Sequence, residues 1–189
     1  MEWLISVFLG VGLAAAVGFR IFLPFLLISI AGRWEVMQLG EGFEWITSTP
    51  ALILFSTATV LEILSYYIPW FDNLLDAITT PLAMLCGSLV MASAIVEMEP
   101  WIKWTLAVIA GGGTAGLIKG TGAVTRLAST GTTGGLANPV IASAETGGSL
   151  FMGLVALFVP VLAITLVAIL IYLIFRRLWG KKKTTTTSP

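Results

Sequence analysis

The chain has 189 residues, of which 57% are hydrophobic and only 11% are charged. Soluble domains carry about 25% charged residues, so this composition excludes an ordinary soluble enzyme or nucleic-acid-binding domain. A mean hydropathy of +0.98 favours a multi-pass membrane protein. Ten basic and ten acidic side chains cancel, there is no histidine, and Cys86 is the single cysteine. We therefore expect no internal disulfide, no metal site and no cofactor.

Five apolar segments predict membrane-spanning helices, since about 20 apolar residues cross a hydrocarbon core of about 30 Å. In chain order they are residues 3–30, 51–68, 81–96, 101–118 and 150–175. The first is too long for a straight crossing, because it would measure about 42 Å at about 1.5 Å per residue. Gly18 and Pro24 bracket Arg20 and predict a kink or a short re-entrant piece there.

A sixth crossing is predicted between about Arg126 and Gly148, although this stretch is only weakly apolar. With six crossings both termini are cytoplasmic, and most of the lysine and arginine residues lie inside, as the positive-inside rule prefers. So polar a segment is stable at membrane depth only where protein or a water-filled cavity covers it. The predicted fold is an all-α polytopic membrane domain over 1–180, with about six segments, some of them broken or re-entrant.

Six crossings can divide into two inverted three-helix halves, 1–80 and 81–180, as in inverted-repeat transporters, although the sequence shows no clear repeat. Residues 181–189 are basic and rich in threonine, and are predicted to form a disordered cytoplasmic tail. Small residues at every fourth position predict close helix packing. They are Gly10, Ala14 and Gly18 in one segment and Gly112, Gly116 and Gly120 in another.

Glycine and proline predict a second helix break inside the sixth crossing. Gly134 and Gly135 lie just before Asn138 and Pro139. A proline has no N–H and interrupts the helical hydrogen-bond ladder. A broken helix at this point would leave backbone carbonyls and amides free for a ligand or for neighbouring side chains. Asn138 is predicted to lie near the membrane midplane, as a candidate for contact with a substrate.

Charged side chains inside a bilayer are costly, and each is therefore a candidate for a functional site. Counting helical rise predicts that Arg20 and Glu145 lie near the outer side, where they can pair. Four other charged residues are predicted to form a cluster near the inner side: Asp72, Asp76, Lys119 and Arg126. Each also has a structural interpretation, as an ion pair, as a helix cap at Asp72 for a short helix 73–79, or as a topology anchor.

Glu62 is the sharpest candidate, because it lies about 16 Å into its span, near the midplane, with no obvious partner at that depth. It is interpreted either as a carboxylate that binds a proton or cation, or as a neutral, hydrogen-bonded core residue. The nearby Tyr66 and Tyr67 are interpreted as interfacial anchors.

The order of these motifs resembles a known family. It runs from Gly18-Phe-Arg20-Ile-Phe-Leu-Pro24 through Glu62, Ile68-Pro69-Trp-Phe-Asp72-Asn-Leu-Leu-Asp76, Lys119, Arg126 and Gly134-Gly135 to Asn138-Pro139-Val-Ile-Ala-Ser143 and Glu145. Over nearly the whole chain this resembles the bacterial integral-membrane family catalogued as domain of unknown function 4126. The resemblance implies a bacterial inner-membrane location and supports the architecture. One difference is that the family usually shows Glu-Asp where this chain has Glu145-Thr146.

Three functions are compatible with these patterns. The first is a small secondary transporter or permease for a solute or ion, with Glu62 and Asn138 at its site. The second is a lipid flippase or scramblase, in which Arg20 and the inner cations meet lipid phosphates. The third is a non-transporting membrane scaffold, which the small-residue seams would assemble as a homo-oligomer. An enzyme is not expected, because no nucleophile lies beside a base.

Overall fold

The computed structural model describes residues 2–68 and 71–180, without the side chains of 71–73 and 178–180. The described residues form helices joined by short connections, with no strand among them. The helices are α1 Glu2–Phe19, α2 Phe22–Arg33, α3 Thr49–Ser65, α4 Phe71–Ala94, α5 Pro100–Leu106, α6 Gly113–Thr133, α7 Asn138–Phe158 and α8 Pro160–Gly180. A 3₁₀ helix, Glu44–Thr47, precedes α3. The predicted tail 181–189 lies outside the described residues.

Helix α1 is the centre of the bundle and packs against α4, α6, α7 and α8. Its buried residues are mostly glycine, alanine and valine, so neighbouring backbones approach closely. A Cβ added at Gly10 would lie 3.0 Å from Met91 Cγ of α4, and one added at Gly12 would lie 2.8 Å from Ala156 Cβ of α7. The predicted small-residue seam in this segment is therefore used inside the chain.

The chain reverses direction between α1 and α2. Helix α1 ends at Phe19, and Arg20 and Ile21 are not helical. Helix α2 then runs back beside α7, with Leu27 against Gly153. Arg20 and Ile21 are fully buried, so α1 and α2 form a hairpin whose turn is inside the protein. The predicted re-entrant piece is present, but Gly18 lies within α1, and Pro24 lies in the first turn of α2, where no N–H is needed.

Helix α3 runs antiparallel to α2. Ser48 caps its N-terminus by accepting a hydrogen bond from the Ala51 N–H at 3.3 Å. Phe25 of α2 stacks on Phe55 of α3, with ring centroids 5.1 Å apart. The buried positions of α3 include Phe55, Thr59 and Glu62, which share one face of the helix. That face continues to Tyr66, and it brings the end of α3 to the α1–α2 turn.

Helices α5 and α6 form one long rod, joined by a π-helical turn over Ala107–Gly112. A Cβ at Gly111 would lie 2.7 Å from the Gly87 carbonyl oxygen of α4, and one at Gly112 would lie 2.6 Å from Ser88 Oγ. Helix α4 is continuous across Pro81. The candidate boundary between residues 80 and 81 therefore falls inside a helix, and the division into inverted halves stays a prediction.

The residues of the predicted sixth crossing are divided between α6 and α7. Residues 126–133 complete α6, Gly134 and Gly135 turn the chain with φ angles of 64° and 89°, and α7 begins at Asn138. The predicted helix break at Gly134 and Gly135 is confirmed, because two glycines in the left-handed region end α6. The prediction that 126–148 is a crossing of its own was wrong, because this stretch folds into a hairpin in which Arg126 of α6 contacts Glu145 of α7. The predicted span 150–175 was also wrong, because Pro160 divides it into α7 and α8. Pro139 lies in the first turn of α7, where a proline is tolerated.

Among the described residues, five helices are long and apolar enough to cross a membrane: Glu2–Phe19, Leu74–Ala94, Pro100–Thr133, Asn138–Phe158 and Pro160–Arg177. Helices α2 and α3 are apolar but shorter. Large apolar side chains stay exposed on the outside of the bundle, as lipid contact requires. The chain is an all-α polytopic membrane protein with broken helices, as predicted.

The two ends of the bundle differ. One end, called the tryptophan end, holds exposed indoles, as at a membrane–water interface: Trp3, Trp34, Trp45, Trp101 and Trp104. The opposite, basic end is where α8 reaches Arg176 and Arg177. Helix α1 starts at the tryptophan end, since its Gly10 packs beside Met91 near the end of α4. The N-terminal end of α1 and the C-terminal end of α8 thus lie at opposite ends, which does not support the prediction that both termini share the cytoplasmic side.

Replacing Gly18 with alanine is expected to lower the free energy of unfolding by about 1–3 kcal/mol. The added Cβ would lie 2.6 Å from Ile118 Cβ and 2.9 Å from the Ala115 carbonyl oxygen, so α1 and α6 would have to separate. Gly120→Ala in α6 is the matched control, because nothing lies within 4 Å of its Cβ position. It should raise stability by about 0.5–1 kcal/mol. Unfolding by sodium dodecyl sulfate in mixed micelles measures both, and equal effects would contradict this packing.

Candidate functional site

Most of the predicted charged residues meet in one place. We call it the buried ion cluster, and it consists of Arg20, Glu62, Tyr66, Asp76, Lys119, Arg126 and Glu145. Its described side chains comprise three cations, three carboxylates and one phenol, each at most 9% exposed. They come from the α1–α2 turn, the end of α3, α4, α6 and α7. Measured along α1 to Arg20 and along the α5–α6 rod to Lys119, the cluster begins about 26 Å from the tryptophan end, and Arg126 lies about two turns farther along the rod.

Arg126 of α6 links two other helices. Its Nε and Nη2 donate to the two oxygens of Asp76 on α4, at 2.6 and 2.7 Å. Its Nη1 donates to Glu145 Oε2 on α7. A planar guanidinium that forms a two-point bond with one carboxylate and a third bond to another is held firmly. The bridge fixes the relative positions of α4, α6 and α7.

Tyr66 stands at the centre of the cluster. Its hydroxyl donates to Asp76 Oδ1 at 3.0 Å and accepts from Lys119 Nζ at 2.7 Å. Its ring centroid lies 4.3 Å from Arg20 Cζ, 4.7 Å from Lys119 Nζ and 4.8 Å from Arg126 Cζ, within cation–π range of each. The interpretation of Tyr66 as an interfacial anchor was wrong. It lies four residues after Glu62 and therefore on the same helix face, which is the pattern that could have revealed it.

Glu62 binds the N-terminus of α2. Its Oε1 accepts from the Ile21 N–H at 2.9 Å and its Oε2 from the Phe22 N–H at 3.0 Å. The first amides of a helix have no partner within it and favour a negative charge. The expectation that Glu62 has no partner was wrong, because the break after α1 exposes two backbone donors at its depth.

Arg20 does not pair with Glu145, so that prediction was wrong. Its Nε donates to Thr146 Oγ1 at 3.0 Å and its Nη2 to the Ala142 carbonyl oxygen at 2.8 Å. Successive residues of a helix point about 100° apart, so the Thr146 side of α7 faces Arg20 while Glu145 faces Arg126. Nη1 of Arg20 has no hydrogen-bond partner within the described part of the chain.

Asn138 lies in the first turn of α7, two turns from Glu145 along that helix. Its Nδ2 donates to Thr130 Oγ1 at 3.0 Å, which ties the α6–α7 hairpin together. It is buried, but near the hairpin turn rather than at the midplane. The side chain of Asp72 is outside the described atoms. The predicted short helix 73–79 is part of α4, which begins at Phe71, so a separate helix capped by Asp72 is not present.

Cavities between the described residues include two that lie outside the centre of the cluster. One, of about 410 Å³, is at the tryptophan end between the 41–42 loop and the α4–α5 turn. The other, of about 290 Å³, lies between α1, α6, α7 and α8, and Glu145 is its acidic wall among mainly apolar side chains. No group of three or more potential histidine, cysteine, aspartate or glutamate metal ligands occurs in the described residues.

The family model described as "Domain of unknown function (DUF4126)" matches residues 7–180. The chain belongs to the DUF4126 family. No curated protein and no solved structure matches it. The matched region contains every helix of the bundle except the first residues of α1, and all of the buried ion cluster. The difference noted from the DUF4126 sequence pattern, Thr146, contacts Arg20 directly.

Proposed function

We propose that this DUF4126 protein is a small secondary transporter or permease whose site is the buried ion cluster. The observation that supports this most is the buried α1–α2 turn, where Arg20 is placed and where Glu62 binds the first amides of α2. Broken helices whose ends face charged groups inside the membrane are a feature of transporter binding sites. A merely structural membrane domain has little reason to bury six charges, because each is costly at that depth.

The contacts suggest which part moves. Glu62 joins α3 to the start of α2, whereas the Arg126 bridge joins α4, α6 and α7. The α2–α3 pair and the α4–α6–α7 group meet around Arg20 and Tyr66. We propose that the pair rocks against the group, and that Glu62 binds the coupling proton or cation when it leaves the α2 amides.

The orientation follows from charge. Lys119, Arg126, Arg176 and Arg177 lie toward the basic end, whereas Arg33 and Lys103 lie toward the tryptophan end. The positive-inside rule therefore favours a cytoplasmic basic end in a bacterial inner membrane, with the start of α1 on the outer side.

Proteoliposomes on a solid-supported membrane test the proposal. They are challenged in turn with jumps of protons, sodium ions, inorganic phosphate and acetate. At least one jump should give a protein-dependent current, and Glu62→Gln should reduce it about tenfold if the carboxylate loses its coupling ion. Glu99→Gln is the control, since Glu99 is an exposed carboxylate. Full pH-dependent current in Glu62→Gln, or no current for any probe, would reject the role.

A second candidate function is lipid handling, which the 290 Å³ cavity favours. This cavity opens between helices whose outer faces are apolar, as a path for an acyl chain would. Glu145 in its wall would contact the cationic part of a lipid headgroup. Scrambling of fluorescent phospholipid in the same proteoliposomes distinguishes the two. Scrambling without solute current would favour lipid handling over transport.

A scaffold role is favoured less, because the small-residue seams are largely occupied within the chain. Gly10, Gly18, Gly112 and Gly116 all pack against its own helices. A homo-oligomer would need other surfaces. The proposal includes no catalytic step, and we propose that the protein is not an enzyme.

A further inference from the structure

Arg20 differs from the other cations of the buried ion cluster. Lys119 lies 3.6 Å from Asp76, and Arg126 pairs with Asp76 and Glu145, whereas no described carboxylate is within ion-pair distance of Arg20. Its two hydrogen bonds go to neutral oxygens, and Nη1 has no partner although the side chain is 0% exposed. A buried ion without a counter-ion is costly, so the surroundings of Arg20 are electrostatically incomplete.

The carboxylates of the cluster are already engaged. Both oxygens of Glu62 accept from the α2 amides. Asp76 accepts from Arg126 and Tyr66, and Glu145 accepts from Arg126. Because the α2 N-terminus already balances much of the Glu62 charge, the charge left over at the α1–α2 turn is the positive charge of Arg20.

We propose that Arg20 binds an oxyanion, a phosphate or carboxylate group, as the recognised part of the transported substrate. This rests on the proposed transport function. The guanidinium, placed against the Tyr66 ring and held by Thr146 and Ala142, keeps the Nη1 donors for the ligand. Guanidinium groups suit such ligands because their planar donors match the spacing of two anionic oxygens.

The oxyanion has two sources, a free anion in water or the phosphate of a lipid headgroup. The chemistry at Arg20 is the same for both. Titrating the protein in dodecyl maltoside, a detergent without phosphate, with inorganic phosphate tests the first source. Adding phosphatidylglycerol to the same micelles tests the second. Isothermal titration calorimetry measures both.

The decisive variant is Thr146→Asp. A carboxylate at this position would meet Arg20 Nε, which Thr146 Oγ1 now contacts at 3.0 Å, and would provide a fixed internal counter-ion. The variant should fold at least as stably as the parent, because it pairs a buried charge. Thr146→Asn is the matched neutral control, because asparagine has nearly the same shape as aspartate but no charge. Arg33→Gln is the control for surface charge, since Arg33 is exposed and its guanidinium donates to Thr49 Oγ1.

Binding of phosphate or of phosphatidylglycerol is expected in the parent, in Thr146→Asn and in Arg33→Gln. Thr146→Asp should weaken it by about tenfold or more, the size expected for a lost charged hydrogen bond. Binding of either probe that Thr146→Asp weakens by this factor, while Thr146→Asn does not, supports the site and identifies the source. Binding that is equal in Thr146→Asp and Thr146→Asn, or the absence of binding for both probes, overturns it.

The result is separable from the transport proposal. Glu62→Gln should retain oxyanion binding at Arg20 but lose current. Binding that depends on residue 146, together with full current in Glu62→Gln, would reject the role of Glu62 and keep the oxyanion site. Current that depends on Glu62, together with no oxyanion binding, would reject the site and keep the transport function.

Discussion

Arg126→Met is expected to lower the free energy of unfolding by about 3–5 kcal/mol. The substitution keeps much of the side-chain length but removes all three ionic hydrogen bonds to Asp76 and Glu145. Both carboxylates would then stay buried beside one remaining near cation, Lys119, which is 3.6 Å from Asp76. Unfolding by sodium dodecyl sulfate in mixed micelles measures the loss.

The loss of stability should be smaller when a charge is removed from both partners of the Arg126–Asp76 ion pair. Asp76→Asn combined with Arg126→Met leaves fewer unpaired charges than Arg126→Met alone, so the double variant should recover part of the stability. Arg33→Gln, at the exposed end of α2, should change stability by less than about 0.5 kcal/mol. A single Arg126→Met change as mild as Arg33→Gln would show that the bridge is not a structural support.

Glu62→Leu is expected to destabilise the protein by about 2–4 kcal/mol and to loosen α2 specifically. The Ile21 and Phe22 amides would lose their acceptors while buried, and each unsatisfied donor costs about 1–3 kcal/mol. Hydrogen–deuterium exchange measures the local effect, with protection lost first over Phe22–Arg33. Thr59→Val, one turn earlier on the same face of α3, is the control for altered packing. Equal exchange of α2 in the parent and in Glu62→Leu would contradict the capping role.

The sequence predicted the class of fold, the break around Arg20 and most members of the cluster. Charged residues in an apolar chain are conspicuous, and their cost at membrane depth is reason enough to select them. Tyr66 was missed because an aromatic residue near the end of a span is equally typical of an interface. Thr146 was missed because a neutral hydroxyl shows its role only when its partner is known.

The pairing within the cluster could not be predicted, and the reason is topological. Depth was counted along each span with the N-terminus on the cytoplasmic side, which separated Arg20 from Lys119 by the thickness of the bilayer. The structure starts α1 at the tryptophan end and turns it at Arg20. Arg20 and Lys119 then lie at one depth, around the Tyr66 ring. The hydropathy of a sequence does not distinguish a helix that crosses the membrane from one that turns back within it.

The π-helical turn between α5 and α6 has a consequence for the azimuth of the cluster. A π turn fits one extra residue into a wider turn, so the helix beyond it keeps nearly the azimuth of an α-helix that is one residue shorter. Deleting one residue from Ala107–Gly112 is therefore expected to restore an ordinary α turn and to leave Lys119 and Arg126 beside Tyr66. Inserting one residue into the regular helix between Gly113 and Lys119 would instead rotate both cations by about 100°. The direction of these cations thus tolerates the loss of a residue within the π turn but not the gain of one beyond it.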